Sequence, residues 1–301
     1  MKVDTGHQVR AFAPGHVTGI FAPATEARDP RGRGSRGAGL VLEVGATAIA
    51  SYRPGGPRRV RVVSDTRGPV PISSEAARRL APASGTTTVH LTHGLPVGQG
   101  FGMSAAGATA TALAVARLGG RSRAEAIETA HLADLFGGGG LGGVAAILGG
   151  GLELRDVPGV PPWGWIDHVP VGSSLLVVVT GPPIPSPRVL GDPKLLARIA
   201  LAAEDLDDLL EAPDLERFLD ASERFTDRVR LAPRDLETTL RSLRRRGAWA
   251  AQAMFGRSLF AVPRSRRARS GIVEWLLARG LRAVELRPAR AGARVGRPQP
   301  F

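Results

Sequence analysis

The sequence predicts an α+β protein of two domains, and three observations carry that prediction. Segments with the alternating or continuous apolar pattern of strands fill the first third of the chain, at 8–12, 39–44, 48–52, 60–63 and 87–91. A segment rich in proline, glycine and tryptophan over 157–164 is typical of a linker. Helical patterns dominate the chain after it. We therefore predict a first domain over residues 1–160 and a second over 161–301.

The remaining elements follow from apolar periodicity and from capping residues. A helical run covers 104–118, and a second helix fits 123–135 with Ser122 as its N-cap. Beyond these, the patterns predict strands at 152–155, 174–180, 258–262 and 283–286, and helices at 193–211, 214–230, 233–246 and 270–279. The tail from Pro288 is composed mainly of Arg, Gly and Pro, and we expect it to fray.

Composition excludes several classes of site. The chain has 301 residues and a mass of 31.5 kDa, so it can bury a core large enough to be stable without covalent cross-links. It contains no cysteine, which excludes disulfides, thiolate zinc sites, iron–sulfur clusters and cysteine nucleophiles. Its only lysines are Lys2 and Lys194, and neither follows the last glycine of a phosphate loop. The sequence therefore excludes a Walker A site.

The net charge of +13 is concentrated near the C-terminus, where residues 241–301 hold 15 arginines and two acids, Glu274 and Glu285. A nucleic-acid interface is one interpretation of this segment. We favour a solvated arginine-rich face, because the arginines lack interleaved aromatic residues for stacking on bases. We therefore expect no nucleic-acid partner.

No segment of the sequence predicts contact with a membrane. Residues 1–10 are polar and lack the apolar stretch of a signal peptide. The longest apolar stretch, 103–118, is mostly alanine and too short to span a bilayer. We expect a soluble, cytoplasmic protein.

The densest functional signal is the loop over 94–107, which connects a strand to a helix. It has glycines at alternate positions, Gly98, Gly100 and Gly102. Glycines allow the backbone to turn tightly and to present its N–H groups, and a helix N-terminus adds partial positive charge. The loop therefore predicts a phosphate site, in which Ser104 binds a phosphate oxygen or Mg²⁺.

Two other interpretations of this loop stay open. Ser104 could be the nucleophile of a hydrolase, because Asp134 and His168 follow it in the order that a catalytic triad needs. Alternatively, the loop could be a tight strand–helix connection in which Ser104 is only the N-cap.

The same loop resembles a motif of a known family. Pro96-x-Gly98-x-Gly100-x-Gly102-x-Ser104-Ala105-Ala106 resembles the second motif of the GHMP kinases, a family of small-molecule kinases. Other segments resemble further blocks of the family in the same order, at 13–21, 34–39, 131–134, 140–155, 181–190 and 252–258. The resemblance thus extends over nearly the whole chain.

The resemblance implies a two-domain GHMP-kinase fold. Its N-terminal domain would be of the ribosomal-S5 domain-2 type and bind ATP, and its C-terminal domain would be ferredoxin-like. The motifs are most similar to those of archaeal members that act on pantoate. They imply ATP- and Mg²⁺-dependent phosphorylation of pantoate to 4-phosphopantoate in coenzyme A biosynthesis. Because family members often form dimers, a homodimer is also expected.

The resemblance also implies roles for individual residues. The implied ATP-binding residues are Pro96, Gly98, Gly100, Gly102, Ser104, Ala105 and Ala106. Ser104 and Asp134 match catalytic positions and would hold the metal, although the family has Glu where this chain has Asp134. The implied substrate contacts are Ser35, His131, Arg155 and Ser186. Among these, Arg155 could clamp a carboxylate bidentately.

One position departs from the family. Gly143 stands where the family has an Asp that is thought to accept the proton of the attacking hydroxyl. Loss of a general base typically costs about 10²–10⁴ in rate. Three interpretations stay open: an enzyme that needs no base, an enzyme in which Asp134 serves as the base, and a degenerate homologue that binds nucleotide without turnover.

Overall fold

The computed structural model describes residues 8–66, 68–184 and 189–296, which form two β-sheets with helices packed against them. The first sheet has seven strands: β1 (Gln8–Ala24), β2 (Gly34–Arg53), β3 (Arg59–Ser64), β4 (Thr86–His93), β5 (Leu152–Val157), β6 (Trp165–Val169) and β11 (Arg294–Val295). Their order is β11-β1-β2-β4-β3, and β5 pairs with the first part of β2 and with β6. The β3–β4 pair is parallel, and the other pairs are antiparallel.

The second sheet is antiparallel and has the order β10-β7-β9-β8. Its strands are β7 (Leu175–Val179), β8 (Ala248–Gln252), β9 (Ser258–Pro263) and β10 (Ala283–Leu286). The described helices are α1 (Pro71–Leu80), α2 (Met103–Leu118), α3 (Arg123–Phe136), α4 (Gly143–Ala146), α5 (Pro193–Ala202), α6 (Leu206–Glu211), α7 (Leu215–Val229), α8 (Arg234–Arg245) and α9 (Arg266–Leu277). None of these helices is long and apolar enough to cross a membrane.

Helix α2 lies at the centre of the helices that pack on the first sheet. Every residue from Ala105 to Ala116 is buried, between the first sheet and helices α1 and α3. The alanines of α2 explain this position, because a helix with small side chains can approach its neighbours closely on every face. Helix α3 begins with Ser122 as its N-cap, as predicted, and Glu125 completes a capping box.

Several elements differ from the sequence-based prediction. The separate strands predicted at 39–44 and 48–52 are one strand, β2, because a bulge opposite Pro14 and Gly15 absorbs the irregularity between them. Helix α1 and strands β6 and β8 are present in the structure but were not predicted from the sequence. The helix predicted at 193–211 is two helices, α5 and α6.

The predicted fraying of the tail from Pro288 is wrong over the described residues. The Ala289 N–H donates to Val41 O at 2.7 Å, and the Ala293 N–H donates to Ile147 O at 2.9 Å. Strand β11 then pairs with β1. These bonds are made by the backbone, so the Arg- and Gly-rich composition of the tail gave no sign of them. The first sheet thus includes β6 and β11, both beyond the boundary predicted at 160/161.

Candidate active site

A cavity of about 330 Å³ lies between the glycine loop, the start of α2, the end of α3 and strand β5. It collects residues that the sequence analysis had singled out from five separate segments. Those that line it are Ser35, Gly98, Gly100, Gly102, Ser104, Ala105, Asp134, Gly143 and Arg155. Within the part of the chain that the structure describes, Asp134 is the one acidic residue of the lining and Arg155 the one guanidinium.

The glycine loop lines this cavity at Gly98, Gly100 and Gly102. Gly98, Gly100 and Gly102 have φ of 77°, 75° and 66°, a left-handed conformation that favours glycine. Gly102 is the N-cap of α2 and has no side chain to cover the N–H groups of the first turn. The helix N-terminus is therefore open to an anion. Ser104 is the second residue of the helix, so its interpretation as an N-cap is wrong.

The second sheet holds this loop from the other side. The Ser258 hydroxyl donates to the Gln99 carbonyl. The Gln99 side-chain amide donates to Gly181 O at 2.8 Å. A Cβ built on Gly100 would lie only 2.3 Å from Ala253 O. The segment 252–258 thus supports the loop, which explains why both segments carry family-like motifs.

Asp134 lies at the end of α3 and is 3% exposed. Burial raises the pKa of its carboxyl group to about 7. Its Oδ1 atom is buried and has no hydrogen-bond partner among the described residues. A Cβ built on Gly139 would lie 2.0 Å from that Oδ1, so only glycine fits opposite the carboxylate. A buried oxygen without a partner fits a cation ligand, because leaving such a group unpaired is costly.

Gly143 begins α4 beside this carboxylate. A Cβ built on Gly143 would lie 3.8 Å from Asp134 Oδ2 and 2.7 Å from Ala105 Cβ. A side chain at position 143 would therefore stand next to Asp134, but in this backbone it would overlap the first turn of α2.

Arg155 also lines the cavity and is 2% exposed. Its Nε donates to Ser35 O at 3.3 Å, and its Nη1 donates to Glu153 Oε1. Ser35 is itself buried and also lines the cavity. The structure thus brings together two of the four implied substrate contacts. A guanidinium held in this way can bind a carboxylate.

Three residues of the predicted site are placed differently, and a fourth is not described. Pro96 is exposed and Ala106 is buried, and neither contributes to the lining. His131 lies outside the lining as well: its Nε2 is 3.4 Å from Pro30 O, where it supports the short helical turn Pro30–Gly32. Ser186 lies outside the described residues.

The geometry contradicts the hydrolase interpretation. His168 lies on β6, its Nδ1 is 3.1 Å from Gly150 O, and it does not line the cavity. No described hydrogen bond joins Ser104 to a histidine. A serine nucleophile needs a base within hydrogen-bond reach.

Sequence reasoning missed Glu153 and undervalued His16. Glu153 is wholly buried, and its Oε1 lies 2.8 Å from His16 Nε2. Alternation along β5 could have found Glu153, because residues two apart on a strand share a face and Arg155 was already a candidate.

The basic segment near the C-terminus is largely engaged within the chain. Arg244 pairs with Glu223 and Asp227, and Arg269 pairs with Glu285. The guanidinium of Arg279 stacks 4.0 Å from the Trp275 ring centroid. These three arginines therefore have partners within the chain, and the absence of a nucleic-acid partner stays a prediction.

Comparison with known proteins identifies relatives over most of the chain. Residues 72–151 match the family described as GHMP kinases N terminal domain. Over 268 residues, which are 86% of this chain and 89% of the relative, the sequence is 32% identical to a pantoate kinase of Thermococcus kodakarensis. It is 29% identical to a pantoate kinase of Methanospirillum hungatei, over 85% of this chain and 87% of that one. A solved phosphotransferase related to the CoA biosynthesis pathway superposes with a TM-score of 0.86 and 30% identity, covering 96% of this chain and 99% of its own.

The fold, the open helix N-terminus and these relatives define a small-molecule kinase. The chain belongs to the GHMP kinase family.

Proposed function

We propose that this kinase transfers the γ-phosphoryl group of ATP to a hydroxyl of pantoate, forming 4-phosphopantoate for coenzyme A biosynthesis. The observation that carries the proposal is a single cavity that is lined both by the open N-terminus of α2 and by Arg155. The helix N-terminus suits a polyphosphate, and the guanidinium suits a carboxylate. The names of the relatives at 32% and 29% identity support this choice of acceptor.

The phosphates of ATP would be bound by backbone N–H groups of residues 98–102 and of the first turn of α2. Asp134 and the Ser104 hydroxyl would hold Mg²⁺ together with phosphate oxygens, since Mg²⁺ commonly binds through one or two carboxylates and the substrate phosphates. When bound, Mg²⁺ neutralises charge that develops between the β- and γ-phosphates.

In the same cavity, Arg155 would bind the carboxylate of pantoate and so direct its hydroxyl towards the phosphates. The hydroxyl oxygen forms a bond to the γ-phosphorus as the bond between that phosphorus and the β,γ-bridging oxygen breaks. ADP leaves with the electron pair of the broken bond, and the hydroxyl proton passes to an oxygen of the transferred phosphoryl group and from there to water. Phosphoryl transfer depends mainly on positioning and on charge stabilisation. Gly143 removes one contribution to the rate, that of a general base, whereas the groups that would position ATP and the carboxylate are present in the cavity.

A second candidate function is nucleotide binding without turnover, which Gly143 and the shorter Asp134 favour. The test is release of ADP by purified protein with ATP, Mg²⁺ and D-pantoate, together with calorimetric binding of ATP. We expect pantoate-dependent turnover that falls at least about 10²-fold in Ser104→Ala, the typical effect of removing one donor from developing charge. Ser270→Ala, on the exposed face of α9, is the matched control.

Bound ATP without pantoate-dependent ADP release would establish the second function instead. The homodimer implied by the resemblance stays a prediction, which sedimentation equilibrium tests.

A further inference from the structure

A row of buried polar side chains lies behind Arg155. Glu153 lies two residues before Arg155 on β5, so the two side chains are on the same face of the strand, which faces inwards. Glu153 Oε1 accepts a hydrogen bond from Arg155 Nη1 and another from His16 Nε2, at 2.8 Å. His16, Glu153 and Arg155 are 3%, 0% and 2% exposed. These three residues, called the buried trio below, join β1 to β5.

The contacts of Arg155 leave one nitrogen of its guanidinium, Nη2, without a hydrogen bond among the described residues. Arg155 Nε donates to the Ser35 carbonyl, and Nη1 donates to Glu153. Among the described residues Nη2 makes no hydrogen bond. It lies beside Gly37, where a Cβ would be only 2.6 Å from it, and Arg155 itself lines the cavity. A guanidinium has five N–H donors in a rigid fork, so fixing Nε and Nη1 determines where the Nη2 donors point.

The charge state of the trio follows from its contacts. Burial lowers the pKa of His16, against the opposing effect of Glu153, so the imidazole is neutral near pH 7. Burial would raise the pKa of Glu153, but Arg155 and His16 outweigh it and the net shift is downward. Since His16 Nε2 faces a carboxylate, it carries the proton. Its Nδ1 can then accept from the Thr18 hydroxyl, 3.4 Å away.

His16 also connects the buried trio to the glycine loop. Its backbone N–H donates to Phe101 O at 3.0 Å, one residue before the N-cap of α2. A Cβ built on Gly39 would lie 2.2 Å from His16 Nε2, and a Cβ built on Gly102 would lie 3.2 Å from His16 Cβ. The ring and the backbone of His16 are therefore closely confined. The trio therefore rests on the same loop that would hold the phosphates.

We propose that Glu153 is a positioning residue of the acceptor site, which holds the Arg155 guanidinium so that Nη2 is presented to the carboxylate of the acceptor, and that His16 in turn orients Glu153. This inference rests on the proposed function, because it assumes an acceptor that carries a carboxylate. A purely structural role explains the trio less well. Apolar residues of similar volume usually stabilise a core at least as much as a buried ion pair does, and Glu153 Oε2 is buried without a partner among the described residues.

The first test is Glu153→Asp, which keeps the negative charge but withdraws the carboxylate by one methylene. We expect the KM for pantoate to rise about tenfold, with the KM for ATP changed less than twofold. Glu153→Gln keeps the shape and the acceptor oxygen, so its KM for pantoate should rise less. If Glu153 acted only through its charge, Glu153→Asp would leave the KM unchanged and Glu153→Gln would lower it, and the proposal would be wrong.

The matched control is Glu223→Asp. Glu223 also pairs with an arginine, Arg244, but neither residue lines the cavity. Glu223→Asp should leave both KM values unchanged. Melting temperatures of all variants check that each protein is folded.

The second test uses the uncharged amide of pantoate as the acceptor. The wild-type protein should prefer pantoate to this amide, and Glu153→Asp should lose most of that preference, which a structural role would not alter. His16→Gln, which retains a side-chain N–H donor, should keep more of the preference than His16→Leu. Equal loss in both His16 variants would contradict the role given to His16.

The same measurements separate the two proposals. A wild-type protein without pantoate-dependent turnover contradicts the proposed function. A wild-type protein that is active, with Glu153→Asp unchanged in KM and in preference, contradicts only the role of Glu153.

Discussion

Gly143 packs directly on Ala105: a Cβ built on Gly143 would lie 2.7 Å from the Cβ of Ala105. This contact joins the start of α4 to the first turn of α2, and it leaves no room for a side chain at the position where the family has an acid. The missing carboxylate and the close packing of the two helices are therefore one feature of this protein. Restoring the acid alone requires the backbone to move.

We expect Gly143→Asp to destabilise the protein by about 1–3 kcal/mol, the usual effect of overpacking, and to leave turnover no higher than in the wild-type protein. Gly143→Ala should destabilise it similarly, since the overlap begins at the Cβ. Adding Ala105→Gly to either variant should remove part of the penalty, and the combination with Gly143→Asp is the one in which turnover can rise. Urea unfolding and ADP release measure the two effects. Additive free energies, or a gain in turnover from Gly143→Asp alone, would contradict this account.

Asp134 should make the stability of the metal-free protein depend on pH. Burial raises its pKa from 3.8 to about 7 in the folded protein, so the folded chain binds one more proton than the unfolded chain between those values. The contribution of Asp134 to stability is thus greatest at low pH and is lost as pH rises through about 7. The raised pKa corresponds to a total change of about 4 kcal/mol, at 1.36 kcal/mol per pKa unit.

Asp134→Asn removes that titration. We expect the metal-free variant to be more stable than the wild-type protein at pH 8, to differ from it less at pH 5, and to lose Mg²⁺-dependent turnover. Urea unfolding at both pH values, without divalent cations, measures the difference. Parallel pH dependence in the two proteins would show that the carboxyl group is ionised in the folded state.

The glycine loop should tolerate a side chain less than other left-handed turns do. Gly100→Ala combines a left-handed φ of 75° with a Cβ only 2.3 Å from Ala253 O. Gly120→Ala is the matched control, because its φ is 68° and nothing lies within 4 Å. Both variants should lose about 1–2 kcal/mol from the left-handed conformation. Only Gly100→Ala should lose a further 1–3 kcal/mol, roughly, from overlap, and raise the KM for ATP. Equal free energies of unfolding would refute the contact with Ala253.

The C-terminal segment should contribute to the stability of the first sheet. A Cβ built on Gly292 would lie 2.2 Å from the Leu148 carbonyl, whereas one built on Gly296 would have 3.4 Å to its nearest neighbour. We therefore expect Gly292→Ala to destabilise the protein by about 2 kcal/mol or more, in the upper range of single substitutions, and Gly296→Ala by less than about 0.5 kcal/mol. Thermal unfolding of the two variants compares them. Similar melting temperatures would indicate that the segment is not docked.

The local pattern of the sequence was sufficient for the features that depend on neighbouring residues. Helices α2 and α3, with Ser122 as a cap, follow from apolar spacing and from capping chemistry within a few residues. The left-handed turns of the loop at Gly98, Gly100 and Gly102 follow in the same way, because glycine favours that conformation, and phosphate binding by the loop stays a prediction. The resemblance then added Asp134 and Arg155, which lie 21 positions apart and meet in one cavity.

Tertiary structure alone decided the features that depend on residues far apart in the chain. Glu153 and His16 are 137 positions apart, and the fold of the first sheet places them 2.8 Å from each other. The docking of residues 289–296 uses backbone hydrogen bonds, which no side-chain pattern records. The contact of Gly143 with Ala105 depends on how closely two helices approach. Such distances are set by the packing of the whole domain, since the spacing of apolar residues determines which face of an element is buried but leaves open what it will meet.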